Sequence, residues 1–327
     1  MADRPAVIAV KARVAQPREG AERRPEPQPS MAGRPLIAID WGTSSLRGAR
    51  LDAAGAVVEE RSFGRGILTV PAGGFSALFD ELFGDWLNAP DALALIAGMA
   101  GSRQGWVEAP YCACPAGLDE VAARLAWIEA GRIALVPGLS CERAGVPDVM
   151  RGEETQVFGA LRLLGVDRGT LVLPGTHSKW VRVEAGRIVE FATLMTGEFY
   201  ALLRRHSILA RTLPASEGGF DGAAFDAGVA HALRSPGLLQ SAFSARTLAL
   251  FDRQPEAQRP SYLSGLVIGE ELRARALADV AQVVVIGDDL LTQRYERALA
   301  SLGIATVTIG SQAAWRGLHE IARRIEA

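Results

Sequence analysis

The sequence predicts an α/β protein of two lobes, each built on a mixed sheet. One supersecondary unit recurs in the two halves of the chain, and such self-similarity constrains a fold more than any single motif. The C-terminal stretch alternates strand and helix, which implies parallel strands covered by helices. The length, 327 residues, suggests two domains or one large two-lobed enzyme at roughly 100 to 200 residues per domain.

Residues 1–30 stand apart, with five prolines, six basic and four acidic residues and no aromatic. That composition predicts disorder. The apolar stretch Ala6 to Val10 is cut short by Lys11, so no export signal is visible. Met31 opens the first segment that reads as folded, which makes the tail an upstream extension in this reading. The first copy of the repeated unit runs Leu36 to Phe63: strand, tight Gly-Thr turn, second strand, Ala-Gly turn, third strand. The second copy runs Leu171 to Leu194 in the same order. Gly42 and Thr43 fall on Gly175 and Thr176 at an offset of 133, and Gly55 falls on Gly186 at 131. The boundaries expected are a first lobe over 31–168 and a second over 169–327.

After the first hairpins we expect a helix over Phe75 to Leu87, a strand at Ala92 to Ile96, a helix at Leu118 to Glu129, a strand at Arg132 to Val136 and a helix at Thr155 to Leu164. After the second come helices at Glu198 to Leu209, Ala223 to Ala232 and Tyr262 to Ala278. The chain closes with strand Gln282 to Ile286, helix Asp289 to Leu302, strand Ile304 to Ile309 and helix Ala313 to Ile325.

Composition narrows the function. AVILMFWYC make up 49% and DEKR 22%, and 35 basic against 37 acidic residues leave a formal charge of −2. This argues against a disordered chain and against nucleic acid as the main partner. The longest apolar run, Ala92 to Gly101, is ten residues long, against the about 20 that a membrane span needs, so no membrane partner is expected. The cysteines Cys112, Cys114 and Cys141 form neither an even set nor a CxxC pair, and read as reduced thiols of a reducing compartment. Homo-oligomerisation is compatible with this composition and leaves no mark in it.

The chemistry sits in the two repeated turns. Asp40-Trp41-Gly42-Thr43-Ser44-Ser45 places a carboxylate at the end of an apolar strand, then a glycine, then three hydroxyls. Glycine lets backbone N–H groups approach a phosphate, hydroxyls donate to its oxygens, and Asp40 suits Mg²⁺ or its water shell. Alone, such a turn is also an ordinary hairpin. The second copy, Pro174-Gly175-Thr176-His177-Ser178-Lys179-Trp180, makes a paired grip on a triphosphate the stronger reading. Lys179 would add a cation, or simply be a solvated hairpin lysine, and His177 would touch phosphate or substrate.

The hairpin DWGTSS and the segments AGMAGSRQGW (Ala97 to Trp106), VMRGEETQ (Val149 to Gln156), LPGTHSKWV (Leu173 to Val181) and YLSGLVIGEE (Tyr262 to Glu271) resemble, in this order, the 2-dehydro-3-deoxygalactonokinase family. The resemblance covers the chain from about Pro35 to the C-terminus. It implies the two-lobed, actin-like ATPase (ribonuclease H-like) fold, with duplicated mixed-sheet lobes around a central cleft. It also implies ATP-dependent, Mg²⁺-dependent phosphorylation of 2-dehydro-3-deoxy-D-galactonate at its 6-hydroxyl, in cytoplasmic galactonate catabolism. Gly287, which ends the strand VVVIG, resembles the adenosine-pocket turn of this superfamily.

Phosphoryl transfer asks a protein for positioning, charge neutralisation and a carboxylate that orients and deprotonates the attacking hydroxyl. Glu153 and Glu154, opening a predicted helix, are the candidates. In related carbohydrate kinases the catalytic carboxylate follows a glycine, usually as Gly-Asp, so Gly152-Glu153 is the nearer match and Glu the departure. A helix-dipole carboxylate is the competing reading for both. Arg151 suits a substrate carboxylate as a planar fork, or a salt bridge to Glu154. Ser102, Arg103 and Trp106 follow an apolar strand, at the end where ligands of α/β folds gather, and are the expected sugar-acid site. Competing functions are a kinase of another sugar or sugar acid, a non-catalytic sugar-responsive regulator on the same fold, and an actin-like filament protein. For the regulator, the N-terminal tail is too short and polar for a DNA-binding module.

Overall fold

Alternation decides the first sheet. Along Leu36–Trp41, Leu36 and Ala38 point into one core while Ile37, Ile39 and Trp41 point into another, the period of two of a strand buried on both faces. The computed structural model describes residues 34–325 apart from 90 and 276, so the tail expected to be disordered lies outside the described residues.

In chain order the first half runs β1 (Leu36–Trp41), β2 (Leu46–Leu51), β3 (Val57–Phe63), α1 (Phe75–Phe83), β4 (Leu93–Gly98), β5 (Tyr111–Ala113), α2 (Leu118–Ala122), β6 (Ala126–Glu129), β7 (Ile133–Leu135), β8 (Gly138–Arg143), β9 (Val146–Met150) and α3 (Glu153–Leu164). The second runs β10 (Gly169–Leu173), β11 (Ser178–Glu184), β12 (Arg187–Leu194), α4 (Thr196–His206), α5 (Gly222–Arg234), α6 (Leu238–Ser241), α7 (Ser244–Leu250), α8 (Arg259–Arg273), β13 (Gln282–Ile286), α9 (Asp289–Ala300), β14 (Ala305–Ile309) and α10 (Gln312–Ala322).

The first sheet has the order β3-β2-β1-β4-β7-β6 and the second β12-β11-β10-β13-β14. In each, two antiparallel hairpins lead into parallel neighbours: β1 lies parallel to β4 as β10 does to β13. The repeat read from the sequence is thus a repeat of topology. α3 and α10 lie between the sheets, in a core that takes Leu36 and Ala38 from β1, Leu171 and Leu173 from β10, and Val284 and Ile286 from β13. The opposite face of the first sheet packs on α1 through Phe79 and Phe83. The opposite face of the second packs on α5, α8 and α9.

α3 and α10 meet backbone to backbone. A Cβ added at Gly159 would lie 1.8 Å from the carbonyl oxygen of Ala313, and one at Gly317 would lie 1.8 Å from that of Thr155. α5 and α8 repeat the device with Gly228 and Gly265, where the same addition would come within 2.2 and 2.1 Å of carbonyl oxygens.

Two expectations change. The helix expected over Leu118 to Glu129 ends at Ala122, and Ala126–Glu129 is an edge strand antiparallel to β7. Its residues alternate between half-buried and exposed, and the Trp-Ile pair suits a pleated surface better than a helix. Strands β5, β8 and β9 form a third sheet that the sequence did not announce. It is tied to β12 by Asp148, whose carboxylate accepts from the Thr193 N–H at 2.7 Å and hydroxyl at 2.6 Å.

Candidate active site

Both Gly-Thr turns sit at the C-terminal ends of parallel strands. Gly42 closes the first turn by donating its N–H to the Ser45 carbonyl at 2.8 Å, leaving Thr43, Ser44 and Ser45 exposed. The second turn rests on the first turn of α4, where the N–H groups of Gly197 and Glu198 donate to the carbonyls of Gly175 and Thr176 at 3.2 and 3.1 Å. Gly197 carries no side chain because a Cβ there would lie 2.5 Å from the Gly175 oxygen. His177 pairs with Glu198 at 2.6 Å.

Two glycines with positive φ bring the carboxylates to the end of β1. Gly98 (φ 89°) ends β4, and a Cβ there would lie 2.7 Å from the Trp41 oxygen. Gly152 (φ 106°) packs on Gly98, with an added Cβ at 3.1 Å from its Cα. Only glycine holds such dihedrals at so close an approach without cost. The first turn of α3 therefore begins beside the strand that carries Asp40 and leads into the first Gly-Thr turn.

The two glutamates there are unlike. Glu153 accepts from the Arg151 N–H at 2.9 Å through Oε2, and its Oε1 lies 3.2 Å from Lys179 Nζ. Lys179 is 4% exposed, on β11 just past the second Gly-Thr turn. Its lysine is buried and paired across the two halves, which excludes the solvated hairpin alternative. Glu154 is fully buried, and Oε2 accepts from the Gly152 N–H at 2.7 Å while Oε1 has no partner. Burial first, and the neighbouring Glu153 carboxylate second, push its carboxyl up to about 8.

Of the residues expected around the sugar acid, Ser102 keeps its Oγ buried without a protein partner. Arg103 is largely exposed and reaches Glu108 at 3.4 Å. Trp106 packs its ring on Trp41 and Phe79, at centroid distances of 6.3 and 5.5 Å. Arg151 turns inward: Nη2 donates to the Ala109 carbonyl at 2.8 Å and the guanidinium stacks over Tyr111. It makes no salt bridge to Glu154. Asp40 holds Arg47 at 2.5 Å. Among the described residues no cluster of three or more His, Cys, Asp or Glu is placed to hold a metal. Asp40, at the end of β1 beside the first Gly-Thr turn, is a single carboxylate whose partner is Arg47.

Two cavities flank this centre. One, of about 650 Å³, joins Ser45 and Arg47 of the first hairpin to Gln156 on α3 and to Gly287, Asp288 and Gly310 at the ends of β13 and β14. The other, of about 260 Å³, opens from Gly175 and Thr176 between α4, α8 and α9, with Val267, Ile268 and Leu291 as apolar walls and Ser264, Arg294 and Tyr295 as polar ones. Gly287 lines the first of these and lies against Pro174. The wall residues of the second escaped the sequence reading. Their signal was the helical stripe Ser264, Val267, Ile268, Glu271 at spacings of three and four.

That stripe ends in Glu271, 2% exposed. Its Oε1 accepts from Trp180 Nε1 at 2.6 Å, and its Oε2 from Tyr295 Oη at 2.8 Å and from Thr196 Oγ1. Tyr295 Oη also shares a hydrogen bond with Ser178 Oγ at 3.0 Å. Burial raises the carboxyl's affinity for its proton, and the Thr196, Trp180 and Tyr295 hydrogen bonds oppose it.

The chain matches the family described as 2-keto-3-deoxy-galactonokinase over residues 40–321. It is 39% identical over 297 residues to a Rhizobium meliloti (strain 1021) protein named as a 2-dehydro-3-deoxygalactonokinase, covering 88% of this chain and 96% of that one. It is 34% identical over 292 residues to the 2-dehydro-3-deoxygalactonokinase of Escherichia coli (strain K12), covering 88% and 98%. A crystal structure from Sinorhizobium meliloti carrying the same activity name superposes with a TM-score of 0.83 at 36% identity, over 89% of this chain and 99% of that one. The Acidaminococcus fermentans (R)-2-hydroxyglutaryl-CoA dehydratase component A, at 14% identity and a TM-score of 0.50, shares the fold.

Proposed function

The chain belongs to the 2-keto-3-deoxy-galactonokinase family, and from that premise we propose that it transfers the γ-phosphoryl group of ATP to the 6-hydroxyl of 2-dehydro-3-deoxy-D-galactonate. Its fold is the two-lobed, actin-like α/β fold. We assign the lobes to 31–168 and 169–327, with α10 returning to pack on β1, β2 and β4. No helix among the described residues is long and apolar enough to cross a membrane, and we assign the activity to the cytoplasm.

One observation carries this reading: Glu153 and Lys179 meet at 3.2 Å, a carboxylate from the start of α3 against a cation on β11 just past the second phosphate turn. In the reaction the turns at Thr43 and Thr176 bind the triphosphate from both sides, and Lys179 faces the transferring group. Glu153 orients the substrate hydroxyl and takes its proton, the main chemical step a kinase must perform itself. Glu154, buried behind it, holds the first turn of α3 through the Gly152 N–H. Asp40 would hold Mg²⁺, which would neutralise charge on the phosphates. Ser102 and Arg103 bind the sugar acid, the unpartnered Ser102 hydroxyl being free for a substrate oxygen. The cavity of Ser264, Val267 and Ile268 has apolar walls and a few polar groups, as a nucleobase requires.

The test is a coupled assay for ADP across a panel of sugar acids with Mg²⁺, with the product located by phosphorus NMR. Turnover selective for 2-dehydro-3-deoxy-D-galactonate, with phosphate on carbon 6, is expected. ATP hydrolysis that ignores the sugar acid, or preference for another acceptor, would overturn the assignment.

A further inference from the structure

The segment Tyr262 to Glu271 is one of the five that carry the family resemblance, yet nothing so far uses its final carboxylate. Glu271 lies on α8, and its two oxygens collect donors from three other elements: Trp180 of β11, Thr196 at the start of α4 and Tyr295 of α9. Two of these elements hold the second phosphate turn. α4 carries Gly197 and Glu198, whose N–H groups bind the turn's carbonyls. β11 starts at Ser178, immediately after the turn, and Ser178 is bonded to Tyr295. Lys179 follows it and reaches Glu153. Thr196 and Tyr295 also line the cavity that opens from Gly175 and Thr176. One buried carboxylate thus ties both ends of the turn to the wall of that cavity.

We propose that Glu271 is a positioning residue for the nucleotide, fixing the second phosphate turn between α4 and β11 without touching the substrate. The inference rests on the kinase reading above, since it takes Gly175 and Thr176 as phosphate ligands. A buried, fully hydrogen-bonded carboxylate is an effective anchor because losing it leaves the Trp180 N–H and the Thr196 hydroxyl as unpaired polar groups in the core.

The experiment measures ATP binding by calorimetry on the full chain with Mg²⁺, alongside steady-state kinetics and melting temperature. Glu271→Gln keeps the shape but turns an amide NH₂ toward hydroxyls, and should weaken ATP binding and raise KM for ATP about 10-fold or more with KM for the sugar acid unchanged. Tyr295→Phe should weaken ATP binding too, and adding it to Glu271→Gln should cost little more, because the hydroxyl acts through the carboxylate. Glu320→Gln is the control: a carboxylate of similar burial on α10, paired with Arg316, whose loss should lower the melting temperature and leave ATP affinity alone. Wild-type ATP affinity in Glu271→Gln, an equal rise in both KM values, or an equal ATP defect in Glu320→Gln would overturn the proposal. Should Glu271→Gln not fold, unchanged ATP affinity in both Tyr295→Phe and Thr196→Val would overturn it. ATP binding is read without turnover, so a wild-type protein that binds ATP but phosphorylates no sugar acid would sink the activity and leave this inference standing.

Discussion

Replacing Glu154 by glutamine should make the protein more stable at neutral pH and flatten its pH dependence. In the unfolded chain the carboxyl ionises near 4.5, whereas in the folded one burial and the adjacent Glu153 push it up to about 8. Between these values the folded chain holds a proton that the unfolded chain has released, so stability falls as pH rises through the window. The gap between 4.5 and pH 7 amounts to roughly 3 kcal/mol at about 1.4 kcal/mol per pH unit. Glutamine escapes this penalty because it is neutral in both states. It keeps the acceptor for the Gly152 N–H, and its NH₂ meets the same unpartnered pocket as the protonated acid. For a chain of this size about 3 kcal/mol is on the order of 5 °C in melting temperature. Calorimetric scans at pH 5, 6, 7 and 8 should therefore show Glu154→Gln close to wild type at pH 5 and increasingly above it toward pH 8. Parallel curves for the two proteins, or a variant that melts lower at pH 8, would refute the buried-neutral assignment.

Glu153→Gln should lower kcat about 10²- to 10⁴-fold, the usual cost of losing a general base, with ATP affinity nearly unchanged, while Glu154→Gln loses far less in the same assay; the reverse ranking would move the base one residue along. Thr43→Val and Thr176→Val each remove a hydroxyl from an exposed turn, so KM for ATP should rise about 10-fold with no change in melting temperature, and unchanged kinetics in both would remove the paired-turn mechanism. Asp40→Asn should raise the Mg²⁺ concentration needed for half-maximal turnover, and an unaltered Mg²⁺ titration would leave the ion without a protein ligand on β1.

The readable parts of the fold were those with local signatures. The Gly42 and Gly175 turns lie between alternating apolar strands, so both hairpins and their kinship could be read from spacing. The strand Ala126–Glu129 was hidden because it follows α2 after three residues and forms only by pairing with β7. β5 is three residues long and exists through its partner β8, a contact no local pattern encodes. In the site, Gly152-Glu153 was legible from its glycine. Its partnership with Lys179 was not, because it joins the start of α3 to β11 of the second sheet. The smaller cavity was half-legible: the Gly175 turn announced one rim, but Tyr200, Leu291 and Arg294 line it only because α4 and α9 pack beside α8. The inward turn of Arg151 depends on Ala109 and Tyr111, about 40 residues upstream, so composition pointed equally well to an exposed fork.

The glycine crossing of α3 and α10 has a mechanical consequence. Where peptide groups touch without intervening side chains, no rotamer can take up slack, so the axes cannot slide closer or change height. The two contacts lie one turn apart on each helix, Thr155 and Gly159 on α3 against Gly317 and Ala313 on α10, so turning one axis about either contact would drive the atoms of the other together or apart. Glu153 stands two residues before Thr155, about 3 Å along the axis at 1.5 Å per residue. The crossing is a clamp that fixes separation, height and angle at once, and it grips α3 next to the carboxylate that meets Lys179.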